Sequence, residues 1–296
     1  MKRLKGGVIL KDLRSDDLKR LLEHIHTVQG IDLRGYRRAT VVRKLELRLL
    51  ETKARDYAAY LTFIQSNPDE VQALVRSLSI QVSSFFRDPL VFDVLRSRVI
   101  PALVGEFGFL NAWSIGSARG EEPYSLAMVI HELRQHNGFS ASLHIQGTDI
   151  DPDAITKAQT GEYPDEAFSE TEQRYIDNYF TASPYQPHSG YGHKHYILRD
   201  EIKAMVNFSC DNIITMLLYK KSYIQNYNLI LCRNVLIYLN REMQEWIITT
   251  LGDILLEKGY FLLGESETMP EKLRDMFEQP FPSVKIFRKK ISSAAG

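Results

Sequence analysis

The 296-residue chain has little cysteine, no net charge and no long apolar run, and each absence closes off a class of protein. Its two cysteines, Cys210 and Cys232, both lie in apolar stretches. That predicts buried, reduced thiols and excludes a disulfide framework or a cysteine-based zinc site. The 37 basic residues balance 37 acidic ones, so no global field draws the molecule to nucleic acid or to an anionic membrane. No stretch nears the roughly 20 apolar residues that a spanning helix needs. The apolar part of the first ten residues is too short for the core of a signal peptide. These absences predict a soluble, cytoplasmic protein that is not integral to a membrane. His188, His193 and His195 crowd a stretch rich in Pro, Gly and Tyr, but their spacing fits no ligand pattern and no metal is expected. What remains is an ordinary globular composition, 44% hydrophobic and 25% charged, with no internal repeat and no low-complexity tract.

The two parts of the chain have different periodicities. Up to about residue 85 the apolar residues recur at helical spacing. Leu18, Leu21, Leu22 and Ile25 follow a cap at Ser15 or Asp16, and Val41, Val42, Leu45, Leu49 and Leu50 mark a second helix. Tyr57, Tyr60, Leu61 and Ile64 mark a third. A fourth opens with Asn67 as cap, Pro68 in the first turn and Glu70 completing a capping box, and continues through Val71, Leu74, Val75 and Leu78. From residue 109 onward, short apolar runs ending in Gly, Asp, Asn or Ser alternate with helical stretches. Strands are predicted over 109–115, 143–150, 205–210, 229–232, 259–263 and 284–288. Helices are predicted over 123–134, 153–160, 241–256 and 271–277. Such alternation builds a mostly parallel, doubly wound α/β sheet. Residues 181–200 break the rhythm and predict a small inserted hairpin or sheet.

In an open parallel sheet, ligands bind beyond the carboxyl ends of the strands, so the residues just after each strand carry the information. The first strand is followed by Gly116-Ser117-Ala118-Arg119-Gly120-Glu121-Glu122-Pro123, a tight turn running into a helix. A dinucleotide fingerprint would read G-x-G-x-x-G there. Two carboxylates at that helix start repel a pyrophosphate and favour a cationic ligand such as S-adenosylmethionine. They equally stabilise a helix N-terminus, and the residues alone leave both readings open. The second strand ends Thr148-Asp149-Ile150-Asp151. Asp149 is the candidate acceptor of ribose hydroxyls, and Asp151, before Pro152, caps the next helix. Tyr238 lies in an apolar run and by itself reads as core, while Arg233 by itself reads as a partner for a helix carboxylate.

Four blocks in order carry a family resemblance: Ser84-Phe85-Phe86-Arg87, Trp113-Ser114 through Gly120-Glu121-Glu122-Pro123-Tyr124-Ser125, Thr148-Asp149-Ile150-Asp151, and Cys232-Arg233-Asn234-Val235-Leu236-Ile237-Tyr238. Together the chain resembles the chemotaxis protein-glutamate methyltransferases, the CheR family, over nearly its whole length. The resemblance implies a class I S-adenosylmethionine methyltransferase fold, Rossmann-like. A helical receptor-docking domain would occupy 1–85 and a methyltransferase domain 86–296, with 181–207 as an inserted β-subdomain. It implies transfer of a methyl group from S-adenosylmethionine to glutamates on the cytoplasmic helices of chemoreceptors, leaving S-adenosylhomocysteine. Position by position, Arg87 matches an arginine at the cofactor's amino-acid end that borders the transfer site. Tyr238 matches an active-site tyrosine. Gln81 and Ser83 fall where the family more often has Asn and Thr lining the pocket. Gly116 and Glu122 match the cofactor loop, Asp149 the ribose aspartate, and Asn212 and Ile213 a pair beside the adenine. Arg233 and Asn234 follow the fourth strand of that pattern. Arg119 stands where the family usually has threonine.

A glutamate nucleophile, with an ordinary pKa near 4.3, is already ionised at neutral pH, which agrees with the lack of a general-base constellation. Residues 31–55 hold eight basic and three acidic side chains, a local net charge of +5 in a neutral chain. Arg37, Arg38, Arg43, Lys44 and Arg48 are therefore candidates for docking an acidic, glutamate-bearing helix. Three rivals remain: the same fold methylating another acid, a silent scaffold, and a nicotinamide oxidoreductase, which the first loop disfavours.

Overall fold

The computed structural model describes residues 16–29, 32–78, 83–138, 141–184, 194–219 and 226–291. Ser15, Gln81, His188 and His193, all singled out above, lie outside the described residues. The chain divides after Leu78 into two compact units, so residues 83–85 belong with the second.

The first unit contains α1 (Asp16–Gln29), α2 (Arg38–Thr52), α3 (Tyr57–Ser66) and α4 (Asp69–Leu78). Leu18, Leu21, Ile25, Val41, Val42, Leu45, Tyr60, Ile64, Val71, Leu74, Val75 and Leu78 are buried, as their helical spacing requires. Leu50, expected in that core, is 72% exposed. At 3.6 residues per turn it sits roughly 180° around α2 from Val41, off the apolar stripe. The capping box expected at α4 does not form. The Asn67 amide donates back to the Phe63 carbonyl at 2.9 Å. Glu70 instead accepts from Arg48 Nε at 2.8 Å and from the Tyr60 hydroxyl at 2.7 Å, a charged partner outcompeting a backbone N–H.

The second unit opens with α5 (Pro89–Val94), which passes through a π-helical turn (Leu95–Val99) into α6 (Ile100–Phe107). There follow β1 (Phe109–Ile115), α7 (Glu121–Asn137), β2 (Ser142–Asp149), α8 (Pro152–Thr160), β3 (Glu162–Pro164), α9 (Gln173–Tyr179), β4 (Phe180–Ala182), β5 (His195–Leu198) and α10 (Asp200–Lys203). The chain continues through β6 (Val206–Cys210), α11 (Ile213–Tyr219), β7 (Tyr227–Cys232), α12 (Arg241–Ile254), β8 (Leu255–Leu263), β9 (Phe277–Phe281) and β10 (Ile286–Lys289).

Seven strands form one sheet in the order β6-β2-β1-β7-β8-β10-β9. Neighbours from β6 to β8 are parallel, and β10 pairs antiparallel with both β8 and β9. This is the expected mostly parallel, Rossmann-like sheet. Strand order runs outward from β1 through β2 on one side and from β7 through β8 on the other. The switch point therefore lies between the carboxyl ends of β1 and β7, where such sheets open a crevice.

Three local expectations are corrected. Residues 271–277, read as helix, form one 3-10 turn (Glu271–Leu273), and Phe277–Phe281 pairs as β9. Pro280 argued against a strand there, but β9 is an edge strand, where a missing N–H is tolerated. The insertion read at 181–207 is a three-stranded antiparallel sheet, β3-β5-β4. It takes β3 from upstream, while residues 206–207 already belong to β6. Cys210, expected to be buried, is exposed, and only Cys232 is buried. The first ends the edge strand β6 and the second ends the central strand β7.

Candidate active site

The turn after β1 is built from backbone. Gly116 has φ +70°, and a Cβ there would collide with Val235 of the turn after β7. Glycine therefore lets the two strand ends close on each other. Gly116 and Ser117 donate their N–H groups to the Thr148 carbonyl at 2.8 and 2.9 Å. Ala118 N–H donates to Asp149 Oδ2 at 2.8 Å and Asp151 N–H to Oδ1 at 3.0 Å. Burial pushes the Asp149 carboxyl above its ordinary value, with these backbone donors opposing it. Each oxygen keeps a lone pair for a further donor. Asp151 caps α8 by accepting from Asp153 N–H at 2.9 Å. The end of β6 joins the end of β2 through Asp211 N–H to the Asp149 carbonyl, 2.9 Å. Beside it, half-buried Asn212 accepts from Ile214 N–H at 2.9 Å as α11 begins at Ile213.

The two glutamates at the start of α7 go different ways. Glu121 is fully buried and accepts from Arg119 Nε at 3.0 Å. Its burial raises the carboxyl above the ordinary range, opposed by the Arg119 charge. Arg119 is thus taken up by a protein carboxylate. Glu122 accepts from Ser114 Oγ at 2.7 Å and from Arg233 at 3.1 Å. The Arg233 side chain is only 2% exposed, pairs with Asp88 as well, and donates to the Arg87 carbonyl at 3.1 Å. Arg233 is therefore a buried bracket between the ends of β7, α7 and the segment 84–88.

That segment is strongly held. Phe86 and Asp88, on either side of Arg87, have φ of +55° and +59°, a strained region for side chains of their size. Phe85 stacks on Phe168 at 5.1 Å and meets Tyr163 edge-on at 4.7 Å, while Phe86 lies 4.0 Å from the Tyr175 ring. Phe86 N–H donates to Ser125 Oγ at 2.9 Å. Glu170 accepts from Ser84 Oγ and from Asp88 N–H, each at 2.9 Å. The phenylalanines act as anchors, and Arg87 and Ser83 are left half-buried.

After β7, Asn234 has φ +61° and a 3-10 turn, Leu236–Tyr238, carries half-buried Tyr238. Buried Glu267 accepts from the N–H groups of Asn234, Leu236 and Gly264. Asp88, Glu170 and Glu267 were not anticipated. Only Asp88 carried a signal, as an Asp-Pro pair at a helix start.

The strand ends thus place Asp149, Asn212, Ile213, Asn234 and Tyr238 at the carboxyl end of the sheet, and Arg233 ties Glu122 and the Arg87 segment to that end. Arg119 pairs with Glu121 and Arg233 is shared between Asp88 and Glu122, so with Asp149 four carboxylates face these two arginines and leave negative charge in excess. That donor set fits a nucleoside bearing a positive charge better than a pyrophosphate. A match to the family described as CheR methyltransferase, SAM binding domain, spans residues 81–285. A second, to the CheR methyltransferase all-alpha domain, spans 16–79. The chain belongs to the CheR methyltransferase family. As a member it is an S-adenosylmethionine-dependent methyltransferase. It is 25% identical over 269 residues to the chemotaxis protein methyltransferase of Borreliella burgdorferi, covering 87% of this chain and 90% of that one. To the chemotaxis protein methyltransferase of Escherichia coli it is 29% identical over 257 residues, 84% and 83% of the two chains. It is also 29% identical over 258 residues, 86% of this chain, to an uncharacterized 104.1 kDa protein of Rhodobacter capsulatus, and spans only 26% of that longer protein.

In the all-alpha part of this CheR-family protein, Arg37, Arg38 and Arg43 are exposed. Lys44 is half-buried, its pKa lowered by burial and by Arg43. Arg48, expected at a docking face, is instead spent within the unit. It pairs with buried Glu70 and with Glu51, and its side chain is 17% exposed. Among the described residues, no helix is long and apolar enough to cross a membrane.

Proposed function

We propose that this CheR-family protein works in the cytoplasm and methylates glutamate side chains on the cytoplasmic helices of chemoreceptors. The charge arrangement at the switch point supports this best: four carboxylates, Asp88, Glu121, Glu122 and Asp149, outnumber Arg119 and Arg233, and Arg87 stands beside them. Asp149 accepts from the ribose hydroxyls, Asn212 and Ile213 flank the adenine, and Glu122 with the backbone from Gly116 to Gly120 receives the cationic end. Bound there, S-adenosylmethionine supplies a methyl group made electrophilic by its positive sulfur. The substrate glutamate arrives ionised, since a carboxyl of pKa about 4.3 has lost its proton at neutral pH, so no base is needed. The residues of this chain align the carboxylate and strip water from its attacking oxygen. Arg87 and Tyr238 orient that oxygen, and Arg87 also holds the cofactor's amino-acid end. The helical first unit, ending at Leu78, docks the receptor, with Arg37, Arg38, Arg43 and, at its half-buried position, Lys44 meeting acidic side chains.

Arg87→Ala tests the assignment. Turnover should fall by about two orders of magnitude or more, and affinity for S-adenosylhomocysteine should weaken, while the melting temperature stays within a few degrees. A variant with normal rate and normal cofactor affinity would remove Arg87 from the site.

A further inference from the structure

We propose that Glu267 is a positioning residue for methyl transfer, its carboxylate fixing the turn that carries Asn234 and Tyr238. The inference rests on the reading of Tyr238 as an orienting residue. Glu267 is 5% exposed. Its Oε1 accepts from Leu236 N–H at 2.7 Å, and its Oε2 accepts from Asn234 N–H at 3.0 Å and Gly264 N–H at 2.7 Å. Among the described residues, no basic side chain lies within ion-pair distance of it. Burial raises its carboxyl, and the backbone donors are what oppose that rise. A buried carboxylate compensated by main-chain N–H groups acts as a template for the backbone around it.

The template spans the ends of two strands. Asn234 sits at φ +61°, in the left-handed region that asparagine enters more readily than most residues, and the Glu267 carboxylate accepts its N–H there. A Cβ on Gly264 would lie 2.8 Å from Asn234 N, so the end of β8 presses directly on the turn. Leu236, anchored by Oε1, opens the 3-10 turn in which Tyr238 N–H reaches the Val235 carbonyl at 3.4 Å. Fixing the Asn234 and Leu236 N–H groups fixes where Tyr238 begins. Glutamine cannot substitute, because its amide NH2 would face one of the N–H groups that the second oxygen now accepts.

The test is a double-mutant cycle of Glu267→Gln and Tyr238→Phe in the full-length protein, read as steady-state methylation of receptor-containing membranes. Glu106→Gln, a carboxylate bonded to Lys258 at the opposite end of the sheet, is the structural control. Glu267→Gln should lower kcat by about tenfold or more, and in the Tyr238→Phe background the same change should cost clearly less than it does alone. The control should keep kcat. Losses that multiply in the double variant would overturn the inference, because Glu267 would then act independently of Tyr238. A crippled Tyr238→Phe beside a Glu267→Gln of normal kcat would overturn the inference alone. A fully active Tyr238→Phe would sink the reading of the site, and the inference with it. Should Glu267→Gln fail to fold, Glu267→Asp keeps the charge at a shorter reach and enters the same cycle with the same expectations.

Discussion

Replacing Arg233 by methionine should destabilise the second unit by about 3 kcal/mol. The guanidinium bridges Glu122 and Asp88 and donates to the Arg87 carbonyl, with 2% of its side chain exposed. Removing one partner of a buried pair costs roughly 3–5 kcal/mol, because the remaining charge keeps its desolvation penalty. Here the stranded carboxylates are 15% and 31% exposed, so water recovers part of that cost and the lower end applies. At roughly 2–4 °C per kcal/mol for a unit of this size, the melting midpoint should fall by about 6–12 °C. Both tryptophans, Trp113 and Trp246, lie in the second unit, so their fluorescence follows its unfolding without a signal from the helical unit. Adding Glu122→Gln and Asp88→Asn to Arg233→Met should restore part of the loss, since no stranded charge then remains. A midpoint within about 2 °C of the parent, or a triple variant weaker than the single one, would refute the bracket as a source of stability.

Two further expectations concern pH. Glu121, Asp149 and Glu267 all have carboxyls raised by burial, so between the unfolded and folded pKa values the folded state binds more protons. The unfolding free energy contributed by these groups should therefore rise as pH falls from neutral through the raised folded pKa values, and level off below the unfolded ones; tryptophan-monitored denaturation at stepped pH checks it, and stability that drops over that window would contradict it. Affinity for S-adenosylhomocysteine should move the opposite way, because Asp149 must be ionised to accept from both ribose hydroxyls. Calorimetry should show binding weaken as pH falls, and affinity that strengthens toward acid would contradict that role.

The parts of the fold visible in the sequence were those set by short-range chemistry. Strand β1 ends where Gly116 allows the turn, Asp151-Pro152 caps α8, and the apolar stripes of α1 to α4 follow the helical period. Residues whose partners lie far along the chain were not visible. Glu267 reads as one more acid in a polar loop; its bond from Gly264 N–H is local, but those from Asn234 and Leu236 form only when the ends of β7 and β8 come together. Glu170 holds the Arg87 segment from more than 80 residues away, as a charge-assisted acceptor that no local pattern announces. Arg48 and Glu70 show the same limit in the helical unit. Local spacing suggested a docking arginine and a capping glutamate, but across 22 residues they satisfy each other. Cys210 differs for a plainer reason. An apolar run predicts burial only when the strand is central, and sheet order places β6 at an edge.

Peptide mapping of receptor cytoplasmic domains after incubation with this protein and S-adenosylmethionine tests the central claim most directly. Each modified peptide should gain the mass of one methylene on a glutamate side chain, lose it on mild alkaline treatment as an ester does, and gain nothing when that glutamate is replaced by glutamine. Modification at lysine, arginine or a terminal amine, or label that persists in the glutamine form, would contradict the proposed acceptor at the junction of β1 and β7.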